Sequence, residues 1–428
     1  MSVLQSGKSG RRAQSILFVL YTGGAAFAAY FAMYAFRKPF TAANFENVDS
    51  WGWGLDLDFK IALVIAQVIG YAASKFIGVK IVSEMGMRGR AAAIVGLITV
   101  SWLALILFAI LPNDLKPLAM FLNGLPLGMI WGLVFGYIEG RRTSEILGAI
   151  LCASFIVSSG MVKSVGVWLM NSFAVTEFWM PAATGALFFP LLLVSTFGLS
   201  GIPPPGAEDV EQRTLRRPMN GQDRRAFLSA FWPGLVPVVI AYVLFTAIRD
   251  FRDNFAAEIW ADLGYAGVSS VFTASEMPIA AVTLMVLGAL YVIRNNRHAI
   301  TAVSLIVMFG SSLIVGATYA FQSGLLTPLW WMILAGGGLY LAYTPFNAMF
   351  FDRLIAASGR IGNAGFLIYL ADASGYAGSV ILLLMKNFLT PDVEWTKFFI
   401  GLAYCGGISS LLLILVSQLY FNRRLTSN

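Results

Sequence analysis

The sequence predicts an all-α membrane protein whose twelve transmembrane helices form two pseudo-symmetric six-helix bundles. Three observations carry that expectation. The 428 residues are 58% hydrophobic and only 12% charged, roughly half the charged share of a water-soluble domain, so the apolar surface is too large for one globule to hide. Apolar runs near the roughly 20 residues needed to cross a bilayer recur twelve times. One long polar segment then divides these runs six and six.

In chain order the runs fall at 15–43, 59–82, 91–111, 115–139, 145–172, 177–199, 227–257, 267–293, 298–320, 325–352, 362–386 and 395–421. The first follows Lys8, Arg11 and Arg12 and contains Ala26-Phe27-Ala28, which is similar to a signal-peptidase site. Its apolar stretch is too long for a signal-peptide core, so it reads as a retained helix. The polar segment carries Pro203-Pro204-Pro205 and reads as a linker over 201–226, between an N-terminal bundle (1–200) and a C-terminal bundle (227–428).

Basic residues set the orientation. Of 29 Lys and Arg, nineteen fall on one side if the N-terminus is cytoplasmic, and eight on the other side or in the outer helix halves. The positive side faces the cytoplasm, which places both termini and the linker there. This distribution explains the net charge of +7 without a basic, aromatic-interleaved patch, so nucleic acid is excluded as a partner and the lipid bilayer takes its place. Cys152 and Cys405, the only cysteines, lie in apolar runs and read as small packing residues; a disulfide scaffold is excluded.

Six charges fall at membrane depth: Arg37, Lys75, Lys163, Arg249, Glu276 and Asp372. Facing lipid, each costs about 2.5–3.5 kcal/mol on insertion scales, so they are expected to line an internal wet cavity. Four positive against two negative charges suit a small anionic solute. Tyr30, Tyr34 and Arg37 are spaced i, i+4 and i+7, placing two hydroxyls and a guanidinium fork on one helix face, beside Lys38. That set fits phosphate or carboxylate, provided that the first helix continues past Pro39. The competing reading puts Arg37 and Lys38 at the outer interface, snorkelling among an aromatic belt.

Arg249 follows Arg37 by 212 residues, and Asp352 follows Glu139 by 213, an echo that points to a duplicated six-helix unit. Arg249 and Arg252 join the substrate-binding candidates, although Asp250 and Asp253 are placed to neutralise them locally. Glu276, Asp372 and Lys163 are the proton-site or ion-pair candidates. Glu84, Arg88 and Arg90 after the second run, Glu139 and Arg141 after the fourth, and Asp352 after the tenth are candidates for latching an inner gate. No phosphate loop G-x-x-x-x-G-K-[ST] and no C-x-x-C pair occur, and His298 is the lone histidine. Neither enzyme chemistry nor a metal or cofactor is therefore expected.

Several strings resemble the major facilitator superfamily, and within it the organophosphate:phosphate antiporter branch of glycerol-phosphate and hexose-phosphate transporters. Tyr34-x-x-Arg37-Lys38-x-Phe40 is similar to that branch's Y-x-x-R-K-x-F, Ser74-Lys75-Phe76-Ile77 to its S-K-F-I, and Gly375-Tyr376-x-Gly378-Ser379-Val380 to its eleventh-helix glycine string. The resemblance implies that Arg37 and Arg249 clasp a phosphate with Lys75 assisting, and that a functional monomer in a bacterial inner membrane exchanges solutes by a rocker-switch. Three departures, the missing histidine near Ser154 to Ser159, the degenerate form of the superfamily's Gly/Asp/Arg signature in the loop after the second helix, and the added Asp372, leave the solute open between phosphorylated and carboxylated metabolites. A proton-coupled carrier is the rival within transport. A non-transporting receptor with the same cavity is the rival outside it.

Overall fold

A computed structural model describes residues 2–48, 50–51, 56–85, 87–139, 141, 143–204, 221–359 and 364–426, with the backbone alone at 2–15, 76, 79–84, 88, 145, 221 and 364–365. The first half is built from α1 (Ser2–Tyr34), α2 (Phe59–Glu84), α3 (Met87–Ile110), α4 (Lys116–Leu127), α5 (Ile130–Ile138), α6 (Ser144–Phe173) and α7 (Met180–Ser200). The second half comprises α8 (Gly221–Asn254), α9 (Ala256–Asp262), α10 (Ser270–Tyr291), α11 (Asn296–Gln322), α12 (Pro328–Pro345), α13 (Phe351–Ser358), α14 (Ala364–Leu389) and α15 (Trp395–Thr426). Among the described residues the only strand-like pairing is one bridge, Trp51 to Leu57.

Among the described residues ten segments are long and apolar enough to cross a membrane. The two other predicted runs correspond to α2, whose 26 residues extend about 39 Å at 1.5 Å per residue, and to the stretch from Pro328 to Ser358. The outer surface is oily, with Phe197, Val194 and Leu412 all strongly exposed, as lipid contact requires. Cys152 is buried as expected, whereas Cys405 is exposed. On α15 it shares the apolar outer stripe of Ile408 and Leu412, so it is a surface residue of the helix and not a core one.

Helix starts are fixed by side-chain caps on otherwise unsatisfied N–H groups. Asp58 accepts from the Ile61 N–H at 2.8 Å to open α2, and the Asn295 side chain accepts from the Arg297 and His298 N–H groups to open α11. Within the first half, α2 lies against α4 at van der Waals closeness: a Cβ at Gly124 would sit 2.3 Å from the Gln67 carbonyl oxygen, and one at Gly70 as close to that of Phe121. Glycine is what lets the two backbones meet.

The structure departs from the predicted runs in four places. Helix α1 stops at Tyr34, not near residue 43; the chain turns through Ala35–Lys38 and forms a 3-10 turn at Pro39–Ala42. Pro39 lacks an N–H and its ring crowds the carbonyl four residues back, which favours ending the helix before it. Arg37 therefore sits in a turn beyond the helix, not on its face. The fourth run breaks into α4 and α5 just after Pro126, and the tenth passes through a π-helical turn, Phe346–Phe350, directly after Pro345, both familiar positions for kinks. Finally, α8 begins at Gly221 with Asp223 in its first turn, six residues inside the segment read as linker; residues 205–220 of that segment lie outside the described residues.

In the first half α1 packs on α5, α6 and α7, α3 on α4 and α7; in the second, α8 packs on α14 and α15, and α11 on α12 and α15. The halves meet along α6 with α10 and α2 with α14, and where α9 approaches the Pro39–Ala42 turn.

Candidate functional site

The turn after α1 and the facing stretch of α2 bring Tyr30, Tyr34, Arg37, Tyr71 and Lys75 together from the first half. The Arg37 guanidinium lies over the Tyr71 ring at 4.0 Å and near Tyr34 at 5.8 Å, and Tyr30 packs edge-on against Tyr34. From the second half come Tyr242 and Arg249 of α8, Tyr343 of α12, Asn347 of the π turn, and Asp372 and Tyr376 of α14. The Arg249 guanidinium lies over the Tyr343 ring at the same 4.0 Å. Both guanidinium groups are within electrostatic reach of the same two phenols, Tyr34 and Tyr376.

Their partners differ. Arg249 donates to Asp250 Oδ1 at 2.7 Å, and Asp250 Oδ2 also accepts from Ser379. For Arg37, no carboxylate among the described residues forms a pair, and its Nε lacks any hydrogen-bond partner. Lys75 pairs with Asp372 at 2.5 Å across the two halves, and the other Asp372 oxygen accepts from the Tyr242 hydroxyl. Tyr242 is held by Tyr343 and Asn347 at 3.1 and 3.0 Å, which satisfies the polar groups that a buried carboxylate demands.

A second tier of charge joins the halves next to this cluster. Lys38 donates to Asn254 Oδ1 at 2.7 Å and pairs with Asp253; Lys163 and Ser159 of α6 reach the same Asp253. Lys60 pairs with Glu258 of α9 and also donates to the Thr41 carbonyl. Arg252 pairs with Glu276 at 2.7 Å and donates to the Met332 carbonyl.

The predicted site residues are thereby sorted. Asp250 neutralises Arg249, as its adjacency suggested, but Asp253 does not serve Arg252, which pairs with Glu276 instead; Asp253 collects Lys38 and Lys163. Lys38 is buried in that pairing and is not snorkelling at an interface. Glu276, Asp372 and Lys163 are all in ion pairs. Sequence reading missed Tyr71, Tyr242, Tyr343, Asn347, Lys60 and Glu258. Counting both tiers, seven cations (Arg37, Lys38, Lys60, Lys75, Lys163, Arg249, Arg252) face five carboxylates (Asp250, Asp253, Glu258, Glu276, Asp372). The excess stays positive, as the six charges first identified predicted.

Of the gate candidates, Glu84 and Arg88 have side chains outside the described residues. Arg90 donates to the Gly136 carbonyl at 2.5 Å, tying α3 to α5, and Arg141 donates to the Tyr137 and Pro203 carbonyls. Glu139 caps the end of α5, and Asp352 lies in the first turn of α13. Among the described residues no group of three His, Cys, Asp or Glu side chains is gathered to hold a metal ion.

A family model described as "Family of unknown function (DUF5690)" matches residues 39–424, and the chain belongs to that family. No curated protein matches it. Among solved structures the chain is similar to a D-xylose-proton symporter at 14% identity and TM-score 0.62, over 94% of this chain and 97% of that one. It is also similar to a mutant peptide transporter POT in complex with alafosfalin (17% identity, TM-score 0.59, 96% and 95% covered). The nucleoside transporter NupG is a third (12% identity, TM-score 0.60, 93% and 98% covered). The likeness is one of fold: this is a multi-pass membrane protein with the architecture of major facilitator transporters.

Proposed function

We propose that this protein is a secondary transporter of a small organic anion, a phosphorylated or carboxylated metabolite, working by alternating access in a bacterial inner membrane with both termini cytoplasmic. In this reading α2 and the stretch from Pro328 to Ser358 complete twelve spans, and the two halves rock about the central cluster. One observation carries the proposal: Arg37, alone among the cluster's cations, pairs with no carboxylate among the described residues. An unmatched guanidinium fork held over the Tyr71 ring suits an oxyanion. An anion landing there reaches Lys75 only by competing with Asp372, and Arg249 only by competing with Asp250. Exchange against inorganic phosphate, as in the antiporter branch, is the form we favour. Proteoliposomes loaded with phosphate and given labelled organophosphates or carboxylates test it; uptake equal in wild type and Arg37→Ala sinks the anion assignment.

The contacts of Asp372 support a second reading, a proton-coupled carrier. A proton on Asp372 releases Lys75 for the anion while Tyr242 keeps the carboxyl in place. Accumulation that collapses with the pH gradient in wild type, and is indifferent to it in Asp372→Asn, supports coupling; identical gradient dependence in both chains removes it.

A further inference from the structure

Aromatic rings from both halves join Arg37 to Arg249 by two routes. On one, Arg37 lies over Tyr71, Tyr71 meets Tyr376 edge-on at 5.7 Å, and Tyr376 is within electrostatic reach of Arg249. On the other, Tyr34 beside Arg37 packs on Tyr30, Tyr30 on Trp131 at 5.0 Å, Trp131 on Phe155, and Phe155 on Tyr340, which is again within reach of Arg249. These groups are not sealed. Trp131, Phe155 and Arg37 are only half-buried, and the side chains of Arg249 and Lys75 keep 15% and 19% of their surface. The hydroxyls of Tyr34, Tyr340 and Tyr376 and the Trp131 indole N–H find no hydrogen-bond partner among the described residues, and none of them is closed off. In the interior of a membrane protein such donors are satisfied by water or by a ligand.

The charge of this cluster is narrowly set. Arg37, Arg249 and Lys75 face Asp250 and Asp372, which leaves one positive charge. The neighbouring tier holds another, because Lys38 and Lys163 share Asp253, but both lysines are at most 4% exposed and are spent on their own partners. One negative charge therefore neutralises the accessible cluster. A second would stand without a counter-charge where solvation is poor, and a buried unpaired charge is costly. A phosphate ester is close to doubly charged at neutral pH and overfills the site while Asp372 is ionised; a carboxylate matches it.

We infer that the anion taken at Arg37 is a monovalent carboxylate on an aromatic body. Its charge is set by the single unmatched cation, and its ring lies against the run of rings between Tyr34 and Tyr340, in the offset or edge-on contacts that aromatic groups favour. A proton on Asp372 raises the charge of the cluster by one and admits a dianion, so the ionisation of that carboxyl selects the valence of the ligand. The inference rests on the anion reading proposed above and narrows it.

Equilibrium binding of labelled phenylacetate to the full chain in detergent at neutral pH tests it, with acetate, phenyl phosphate and benzyl alcohol as competitors. Phenylacetate should bind saturably. Acetate, which keeps the charge and lacks the ring, should be weaker by about tenfold or more, and phenyl phosphate, which keeps the ring and adds a charge, by a similar factor. In Asp372→Asn phenyl phosphate should gain about tenfold on phenylacetate. Absence of saturable phenylacetate binding, acetate or phenyl phosphate as strong as phenylacetate in the wild type, or an unchanged ratio of the two aromatic anions in Asp372→Asn would overturn the inference. If phosphate or acetate wins but Arg37→Ala abolishes its binding, the anion reading stands and only the narrowing falls. Benzyl alcohol bound as tightly as phenylacetate, with neither weakened in Arg37→Ala, would end both. The wild-type ratios decide the matter even if Asp372→Asn elutes as aggregate.

Discussion

Arg37 and Arg249 occupy echoing places in the two halves, each guanidinium 4.0 Å above a tyrosine ring, yet their electrostatics are opposite. The second half carries its own counter-ion, since Asp250 follows Arg249 directly and binds it at 2.7 Å. In the first half the neighbour of Arg37 is another cation, Lys38, which is drawn off to Asp253 and Asn254. The same geometric device therefore yields one neutralised and one available positive charge. Binding an anion needs an available charge; a neutralised one contributes position and hydrogen bonds at much smaller net gain.

The comparison is broken most directly by Arg37→Ala. Removing two charge-assisted hydrogen bonds, at about 1.5–3 kcal/mol each, should lower uptake efficiency by about a hundredfold or more, read as initial rates in proteoliposomes. A loss no greater than that of Arg249→Ala would erase the asymmetry. For Arg249→Ala we expect about a tenfold loss in anion affinity, together with a lowered thermal midpoint, because Asp250 is left among buried groups without its cation. Adding Asp250→Asn should recover most of that stability, measured by thermal unfolding in detergent. Asp372→Asn frees Lys75 and should tighten anion binding about fivefold, the sign opposite to every arginine variant; weaker binding would show that the carboxylate positions Lys75 instead of restraining it. Tyr71→Leu, which removes the ring beneath Arg37 together with its contacts to Lys75 and Tyr376, should cost about threefold in affinity by isothermal titration, in line with about 0.5–1 kcal/mol for a cation over an aromatic face.

Much of the site was legible in the chain. Arg37, Lys75, Lys163, Arg249, Glu276 and Asp372 stood out because charges in apolar runs have few places to go. Beyond Tyr30 and Tyr34 most of the aromatic part was overlooked, although a signal existed: Tyr71 lies one helical turn before Lys75, and Tyr376, noted only within the glycine string, one turn after Asp372, so each shares a face with a charge already selected. Glu258 and Lys60 had no such flag. Both sit at run ends, where a charge reads equally well as a solvated loop residue. The error at Arg37 came from extending a hydrophobic pattern through Pro39, where backbone chemistry outweighs hydropathy.

The approximate placing of the apolar spans and the membrane environment were determined by the sequence alone, because each depends on the run length and composition of one segment at a time. Which charge answers which was decided only by the tertiary structure. Lys75 and Asp372 are 297 residues apart, and each added helical residue turns a side chain by about 100°. Pairing therefore depends on the axial rotation and register of two packed helices, quantities that no single segment contains.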